Sequence, residues 1–196
     1  MRLDPRFAAN VEGLDLAVLD DLDDSVYALD EQRRLVFVNA AWDRVAEESG
    51  ARWSRAWDLG ASVLEATAPV LRAFYDDLFK RAADSQSPVE VDYECNSPTS
   101  VRRMRMRVAR LSPGGLLVVN STLRELAADD PRMADERRYR DPVGIIMMCA
   151  HCRRTRRADA EAWDWVPAWV ADMPDMTSHG LCPACFLLHY PRTRRP

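Results

Sequence analysis

Two cysteine pairs have the residue types and the spacing of a metal site. Two residues separate the cysteines in each pair, so that one tight turn can direct two thiolates at the same ion. Four thiolates complete the tetrahedral coordination of structural zinc. The sequence therefore predicts one structural zinc ion with these ligands: Cys149, Cys152, Cys182 and Cys185. Such a closed site leaves no position for water or substrate, which argues against zinc-dependent hydrolysis.

Two other interpretations of this site stay open. Clustered thiolates can be oxidised with release of zinc, which would make the site a redox sensor. His151 or His179 could replace a cysteine as ligand, but four thiols leave no vacancy. We expect His179 to support the ligands rather than to bind the ion.

A cluster of arginines in the same region makes nucleic-acid binding an alternative function, because basic patches attract phosphate. Acidic residues nearby offset most of this charge, and the chain has a formal charge of −4. We therefore predict that nucleic acid is not a partner. The arginines are Arg153, Arg154, Arg156, Arg157, Arg192, Arg194 and Arg195, and the acidic residues are Asp159, Glu161, Asp164, Asp172 and Asp175.

The chain has the features expected of a cytoplasmic protein. A reducing cytoplasm keeps cysteines as thiols or metal ligands. Residues 1–5 have none of the apolar character of a secretory signal, and no apolar run approaches the roughly 20 residues of a membrane-spanning helix. No kinase, cyclase or phosphatase motif is present, so the sequence predicts a protein that is not an enzyme and does not bind membranes.

The first predicted secondary-structure element is marked by an apolar stripe near the start of the chain. Phe7, Val11, Leu14 and Val18 follow helical spacing, which predicts an amphipathic helix within residues 1–23. An isolated helix of this length is marginal and must bury its apolar face. We expect it to bury this face in a homodimer.

Short apolar runs bounded by turns predict three strands, and two further segments with alternating residues predict a hairpin of defined register. On its charged face, Glu94 pairs with Arg103, Asp92 with Arg105 and Glu90 with Arg107. On its apolar face, Tyr93 pairs with Met104, Val91 with Met106 and Val89 with Val108. The strands are predicted over residues 26–29, 35–38, 89–95, 103–108 and 116–119, with helices over 40–48, where Asn39 is the cap and Gly50 the end, and over 67–86.

This order of elements resembles that of a PAS domain, and so do two segments of sequence. The first runs from Ser25 to Asp30 and the second from Val36 to Trp42, where an Asp-containing turn leads to a strand ending in Asn39. The resemblance covers residues 24–122. It implies an α+β fold, a five-stranded antiparallel sheet with flanking helices, and a role in sensing a ligand, a cofactor or a protein partner.

The resemblance does not identify a PAS cofactor. Residues 1–150 contain no histidine for haem, although Cys95 or a methionine could substitute, and the Asn-Cys-Arg-Phe-Leu motif of the light-sensing flavin subfamily is absent. We interpret Cys95 as a small buried hydrophobic residue. Trp42, Trp53 and Trp57 are interpreted as packing residues rather than as a cofactor site.

The cysteine region resembles a four-cysteine module at the C-termini of bacterial response regulators and of PAS and GAF proteins. The matching segments are residues 148–153, 165–167 and 178–185, with His189, Tyr190 and Pro191 at the end. Residues 155–159 depart from the pattern. The resemblance supports zinc as the metal.

These features predict four regions: an amphipathic helix in residues 1–23, a PAS domain in 24–122, a connector in 123–142 and a small zinc module in 143–196. The predicted function is that of a non-enzymatic sensory or regulatory protein in bacterial signal transduction. Its expected partners are a second copy of the chain, a signalling protein and a small-molecule ligand of the PAS domain.

Overall fold

The computed structural model describes residues 1–48, 57–112, 114–127 and 135–190. The chain forms two compact units. The first unit contains Met1–Asp92 and Met104–Leu123, and the second contains Tyr93–Arg103 and Arg124–Pro196. Three strands, numbered β4, β5 and β6 below, contribute residues to both. Within the described residues, no helix has the length and apolar character needed to cross a bilayer.

The N-terminal segment does not form the single helix that its apolar spacing predicts. It contains strand β1 (Arg2–Leu3), a 3-10 helix (Pro5–Val11) and the short helix α1 (Leu16–Asp20). The break has a local cause, because Gly13 has a φ of +86° and Asp15 starts a new helix by accepting a hydrogen bond from Val18 N at 3.2 Å.

Most of the predicted apolar stripe packs within the first unit. Phe7, Val11 and Leu14 lie in the cluster around Val26 and Ala28. The exception is Val18, whose side chain is 56% exposed. The stripe is therefore largely buried by its own chain, which removes the reason for expecting it to mediate a dimer.

One six-stranded sheet organises the first unit, in the order β1-β3-β2-β6-β5-β4. Strand β2 pairs antiparallel with both β3 and β6. The strands after β1 are β2 (Ser25–Leu29), β3 (Leu35–Val38), β4 (Val89–Glu94), β5 (Ser100–Arg110) and β6 (Leu116–Ala127). Two strands, then helices, then three strands is the predicted order, and the α+β fold with an antiparallel sheet is confirmed, with β1 added to the edge as a sixth strand.

The helices between β3 and β4 are α2 (Ala40–Glu48), α3 (Val63–Ala66) and α4 (Pro69–Asp84). Asn39 caps α2 as predicted, because its Oδ1 accepts hydrogen bonds from Trp42 N at 3.0 Å and from Val26 N at 2.9 Å. Side chains alternate between the two faces of a strand, so Tyr27 lies on the face opposite Val26 and Ala28. It contacts Trp42 of α2 there, at 4.8 Å between ring centroids. Gly50 and Trp53 lie outside the described residues.

The predicted register of the β4–β5 hairpin is confirmed in the first unit. Arg105 donates to both carboxylate oxygens of Asp92, at 2.6 and 3.1 Å, and Arg107 Nε donates to Glu90 at 2.7 Å. Met104 and Met106 are buried on the opposite face. A register shifted by one residue would have exposed these methionines.

The second unit contains a small four-stranded sheet in the order β10-β7-β8-β9. Its elements are β7 (Ile146–Cys149), β8 (Thr155–Arg156), β9 (Trp163–Asp164), α5 (Pro167–Ala171), β10 (Thr177–Gly180) and α6 (Pro183–His189). An apolar core forms around Ile146 and Met148 with Val166, Trp169 and Tyr139. Tyr139 comes from the predicted connector, and its ring lies edge-on to Trp169 at 4.9 Å.

Candidate metal centre

The first cysteine pair lies in a tight turn that follows β7. Cys149 ends the strand, and its N–H donates to the carbonyl of Arg154 at 2.8 Å. Arg153 has a φ of 63°, which reverses the chain, and its N–H donates to Cys149 O at 3.1 Å. This turn brings Cys152 back towards Cys149.

The second pair lies at the start of α6. Cys182 is the N-cap residue, and its sulfur accepts a hydrogen bond from Cys185 N at 3.5 Å. Pro183 occupies the first helical turn, where its missing N–H costs nothing. The two pairs lie side by side because β10 runs parallel to β7 and places Gly180 opposite Cys149.

All four sulfurs converge on one point. The Sγ atoms lie within 4.8 Å of one another, and Cys152 Sγ is 3.6 Å from Cys182 Sγ. Zinc–sulfur bonds of about 2.3 Å in a tetrahedron require sulfur separations of about 3.8 Å. The four cysteines are between 0% and 5% exposed, with Trp163 and Leu181 packed around them. Their chemistry and spacing therefore suit a metal ion that prefers soft ligands in tetrahedral geometry.

Hydrogen bonds within the cluster favour ionisation of Cys149 and oppose that of Cys152 and Cys185, whose pKa values are raised. Hydrogen bonds from the other cysteines, that of Cys152 first, lower the pKa of Cys149. A thiolate is the form that binds metal.

Two histidines, His151 and His189, contact each other close to the cluster, whereas the sequence favours His179 as a support. His179 is exposed on β10. His189 is 5% exposed, and its Nε2 lies 2.9 Å from Nδ1 of His151. Helical spacing could have identified His189, because it follows Cys185 by one turn of α6 and so lies on the same helix face.

Burial lowers the pKa of both histidines. Burial, together with a smaller contribution from His189, lowers the pKa of His151 to about 4, so that this ring is neutral at pH 7. His151 also stacks on Tyr93, with 5.3 Å between ring centroids. Among the described residues, the cysteines are the one group of potential ligands placed to hold a metal.

A second set of residues that sequence reasoning missed lies at the tip of the β4–β5 hairpin. Glu94, which the predicted register places opposite Arg103, also accepts from Arg154 Nε at 2.7 Å. Asn96 donates to the carbonyl of Cys152 at 2.8 Å, and Trp165 Nε1 donates to Ser97 O at 3.1 Å. Cys95 is half-buried in this tip and does not belong to the cysteine cluster.

The arginines near the first pair are partly neutralised. Arg154 pairs with Glu94, and Arg157 Nε donates to Asp164 at 2.5 Å. Asp164 also accepts from the hydroxyl of Tyr139 at 2.8 Å. Arg192, Arg194 and Arg195 lie outside the described residues. Arg154 and Arg157 are therefore tied into the second unit by ion pairs.

No protein-family model and no curated protein matches the chain. Solved structures resemble it at low sequence identity. The PAS domain of the RpfR quorum-sensing receptor from Cronobacter turicensis, in complex with C12:0, has 13% identity, 53% coverage of this chain, 97% coverage of its own and a TM-score of 0.40.

Two further solved structures resemble the chain at similarly low identity. The photoactive yellow protein domain of the sensor histidine kinase Ppr from Rhodospirillum centenum has 15% identity, 56% coverage of this chain, 94% coverage of its own and a TM-score of 0.40. The PAS domain of Bordetella pertussis BvgS has 16% identity, 58% and 83% coverage, and a TM-score of 0.41. These similarities concern the fold, and the ligands and activities named for these proteins are their own.

Proposed function

We propose that this chain is a non-enzymatic sensory or regulatory protein of bacterial signal transduction, with a structural zinc ion held by Cys149, Cys152, Cys182 and Cys185. The observation that carries this proposal is the convergence of four buried sulfurs within 4.8 Å. A site closed by four thiolates serves to hold a fold together rather than to activate water. The C-terminal module, residues 143–196, then acts as a zinc-stabilised interaction or relay element in the same chain as a PAS domain in residues 24–122.

Burial of the sulfurs supports a structural role over redox sensing. Reactive cysteines are exposed enough for an oxidant to reach the thiolate. Here the most exposed ligand, Cys185, is 5% exposed. The ion pairs of Arg154 and Arg157 likewise reduce the charge available for phosphate, which supports a protein partner over nucleic acid.

The partners are inferred from the fold. We expect the PAS domain to sense a small molecule or to bind a signalling protein in the cytoplasm, and we expect the chain to act as a homodimer. Because Phe7, Val11 and Leu14 are packed within the first unit, the dimer must use another surface.

Native mass spectrometry and elemental analysis of the purified protein test the proposal. The expected result is one zinc per chain, a dimeric mass and, where a PAS ligand is retained, an additional small-molecule mass. A folded protein without bound metal would overturn the zinc assignment. Titration with a labelled DNA duplex at about 50 and about 200 mM salt should show no specific binding, whereas tight, salt-dependent binding would favour a nucleic-acid regulator.

A further inference from the structure

The tip of the β4–β5 hairpin is built into the unit that carries the cysteine cluster. Residues Tyr93–Arg103 belong to the second unit although they lie far from the cysteines in sequence. Three of its residues contact the module: Glu94 through Arg154, Asn96 through the Cys152 carbonyl and Ser97 through Trp165. The hairpin tip therefore contacts the turn that presents the first cysteine pair.

Asn96 makes the most specific of these contacts. It is 1% exposed, and its amide bridges two strands and the cysteine turn at once. Its Oδ1 accepts from Arg102 N at 3.3 Å, while its Nδ2 donates to Cys152 O and to Glu94 Oε1, both at 2.8 Å. The hydrogen-bond partners fix which end of the amide is which. The carbonyl of Cys152 is therefore held in one direction by a side chain 56 positions away.

Glu94 connects the same amide to the other side of the cysteine turn. Its Oε1 accepts from both Asn96 and Arg154, and its Oε2 accepts from Arg154 Nη2 at 3.3 Å. Both Glu94 and Arg154 have about one third of their side chains exposed, 33% and 31%. A two-point contact of this kind restricts direction as well as distance. Residues 152 and 154, on either side of the left-handed Arg153, are thus both held by the hairpin tip.

We propose that Asn96 and Glu94 are positioning residues of the metal site, and that metal binding and the conformation of the hairpin tip are coupled. This inference rests on the proposed zinc site. The hairpin holds the turn from Cys149 to Arg154 in the shape that binds the ion, which increases affinity. Because the coupling free energy is the same in both directions, the bound ion stabilises the ordered hairpin tip by as much as the ordered tip stabilises ion binding. The remaining residues of strands β4 and β5 belong to the first unit, so the coupled hairpin tip is continuous in the chain with two strands of the PAS sheet.

Zinc affinity measured by competition with a chromogenic chelator tests the first half of the proposal. Asn96→Ala should lower affinity about 10- to 100-fold, and Glu94→Gln should lower it about tenfold, as expected when a residue orients a metal ligand. Glu90→Gln is the matched control, because Glu90 lies on the same strand and pairs with Arg107 and Arg105 instead. Its affinity should stay within about twofold of wild type.

A spectroscopic signature separates positioning from loss of folding. With Co(II) in place of zinc, the ligand-field bands report the geometry of the four thiolates. These bands should shift in Asn96→Ala and keep their wild-type positions in Glu90→Gln. Glu94→Gln changes one charge without removing volume, and it keeps the proposal testable if Asn96→Ala does not fold.

Hydrogen exchange of the wild-type chain tests the reciprocal half. The amides of Cys95 and Ser97, which donate across the hairpin to Arg102 and Ser100, should exchange at least about tenfold faster after zinc removal. The amides of β2 should not change. A chain that binds no metal overturns the proposed zinc site and this inference together. This inference alone is overturned if Asn96→Ala and Glu94→Gln both bind zinc with wild-type affinity. It is also overturned if the exchange rates of the hairpin-tip amides do not change on zinc removal.

Discussion

Replacing Cys182 by serine should unfold the second unit while leaving the first unit folded. Cys182 both lies in the sulfur cluster, 3.6 Å from Cys152 Sγ, and caps α6. Serine retains the ability to cap a helix, so the substitution chiefly removes a metal ligand. The variant should therefore be purified without zinc, and chelation of wild-type protein should give the same state.

The free energy lost with the zinc ion should exceed the free energy of unfolding that a small unit can have. Structural zinc contributes about 10 to 16 kcal/mol in small zinc-binding folds near pH 7. A whole domain is typically stable by about 5 to 15 kcal/mol. The apolar core that remains in the second unit comprises five buried residues, Tyr139, Ile146, Met148, Val166 and Trp169. The first unit keeps its own core around Val26, Ala28 and Phe37, which contains no cysteine.

Hydrogen exchange resolved by residue is the appropriate assay. In zinc-free protein, the amides of β7 and β10 should lose protection, and the amides of β2 and β3 should keep it. Cys95→Ser is the matched control, because Cys95 lies outside the cluster and its variant should retain one zinc per chain. Retention of zinc by Cys182→Ser, or wild-type protection of β7 and β10 after chelation, would refute the reasoning.

Three further predictions concern the first unit. Phe37→Ala should lower its free energy of unfolding by about 3 to 5 kcal/mol in denaturant titrations, because Phe37 is fully buried, whereas Val18→Ala at a 56% exposed site should change it by less than about 0.5 kcal/mol. Deletion of residues 1–20 should lower the melting temperature without changing the mass measured by light scattering, because Phe7, Val11 and Leu14 pack in cis; a halved mass would show packing in trans. Hydrogen bonds from Ala40 N and from the chain's N-terminal ammonium lower the pKa of Asp20 from its ordinary 3.8, so its contribution to stability is complete above that value and is lost as pH falls through the folded pKa. Stability of wild type and Asp20→Asn should converge at low pH, and a constant difference between about pH 6 and about pH 3 would contradict this assignment.

The features predicted from sequence are those encoded by residues close together in the chain. The two-residue spacing of each cysteine pair places both sulfurs in one turn, so the site could be identified without a structure. The alternation of Glu90 and Asp92 with apolar residues likewise fixed the register of the hairpin.

The features that sequence reasoning missed depend on distant partners or on competing local signals. Asn96 contacts Cys152 across 56 positions, and no spacing rule reports such a contact. The N-terminal helix prediction was wrong because the apolar stripe was given more weight than Gly13 and the capping carboxylate of Asp15. Local chain geometry interrupted the helix while the apolar side chains still reached the core.

The parallel pairing of β7 and β10 has a consequence for biosynthesis. The first cysteine pair lies in a local turn, whereas the sulfurs of Cys152 and Cys182 are 30 positions apart, and closing a loop of that length costs about 3 kcal/mol of chain entropy. A growing chain therefore presents a two-thiolate half-site well before α6 has been synthesised. An ion captured at that stage stays exchangeable, because two ligands bind more weakly than four. On the proposed metal site, the ion must remain available until β10 pairs with β7, and cells deprived of it are expected to accumulate chains with an unfolded second unit.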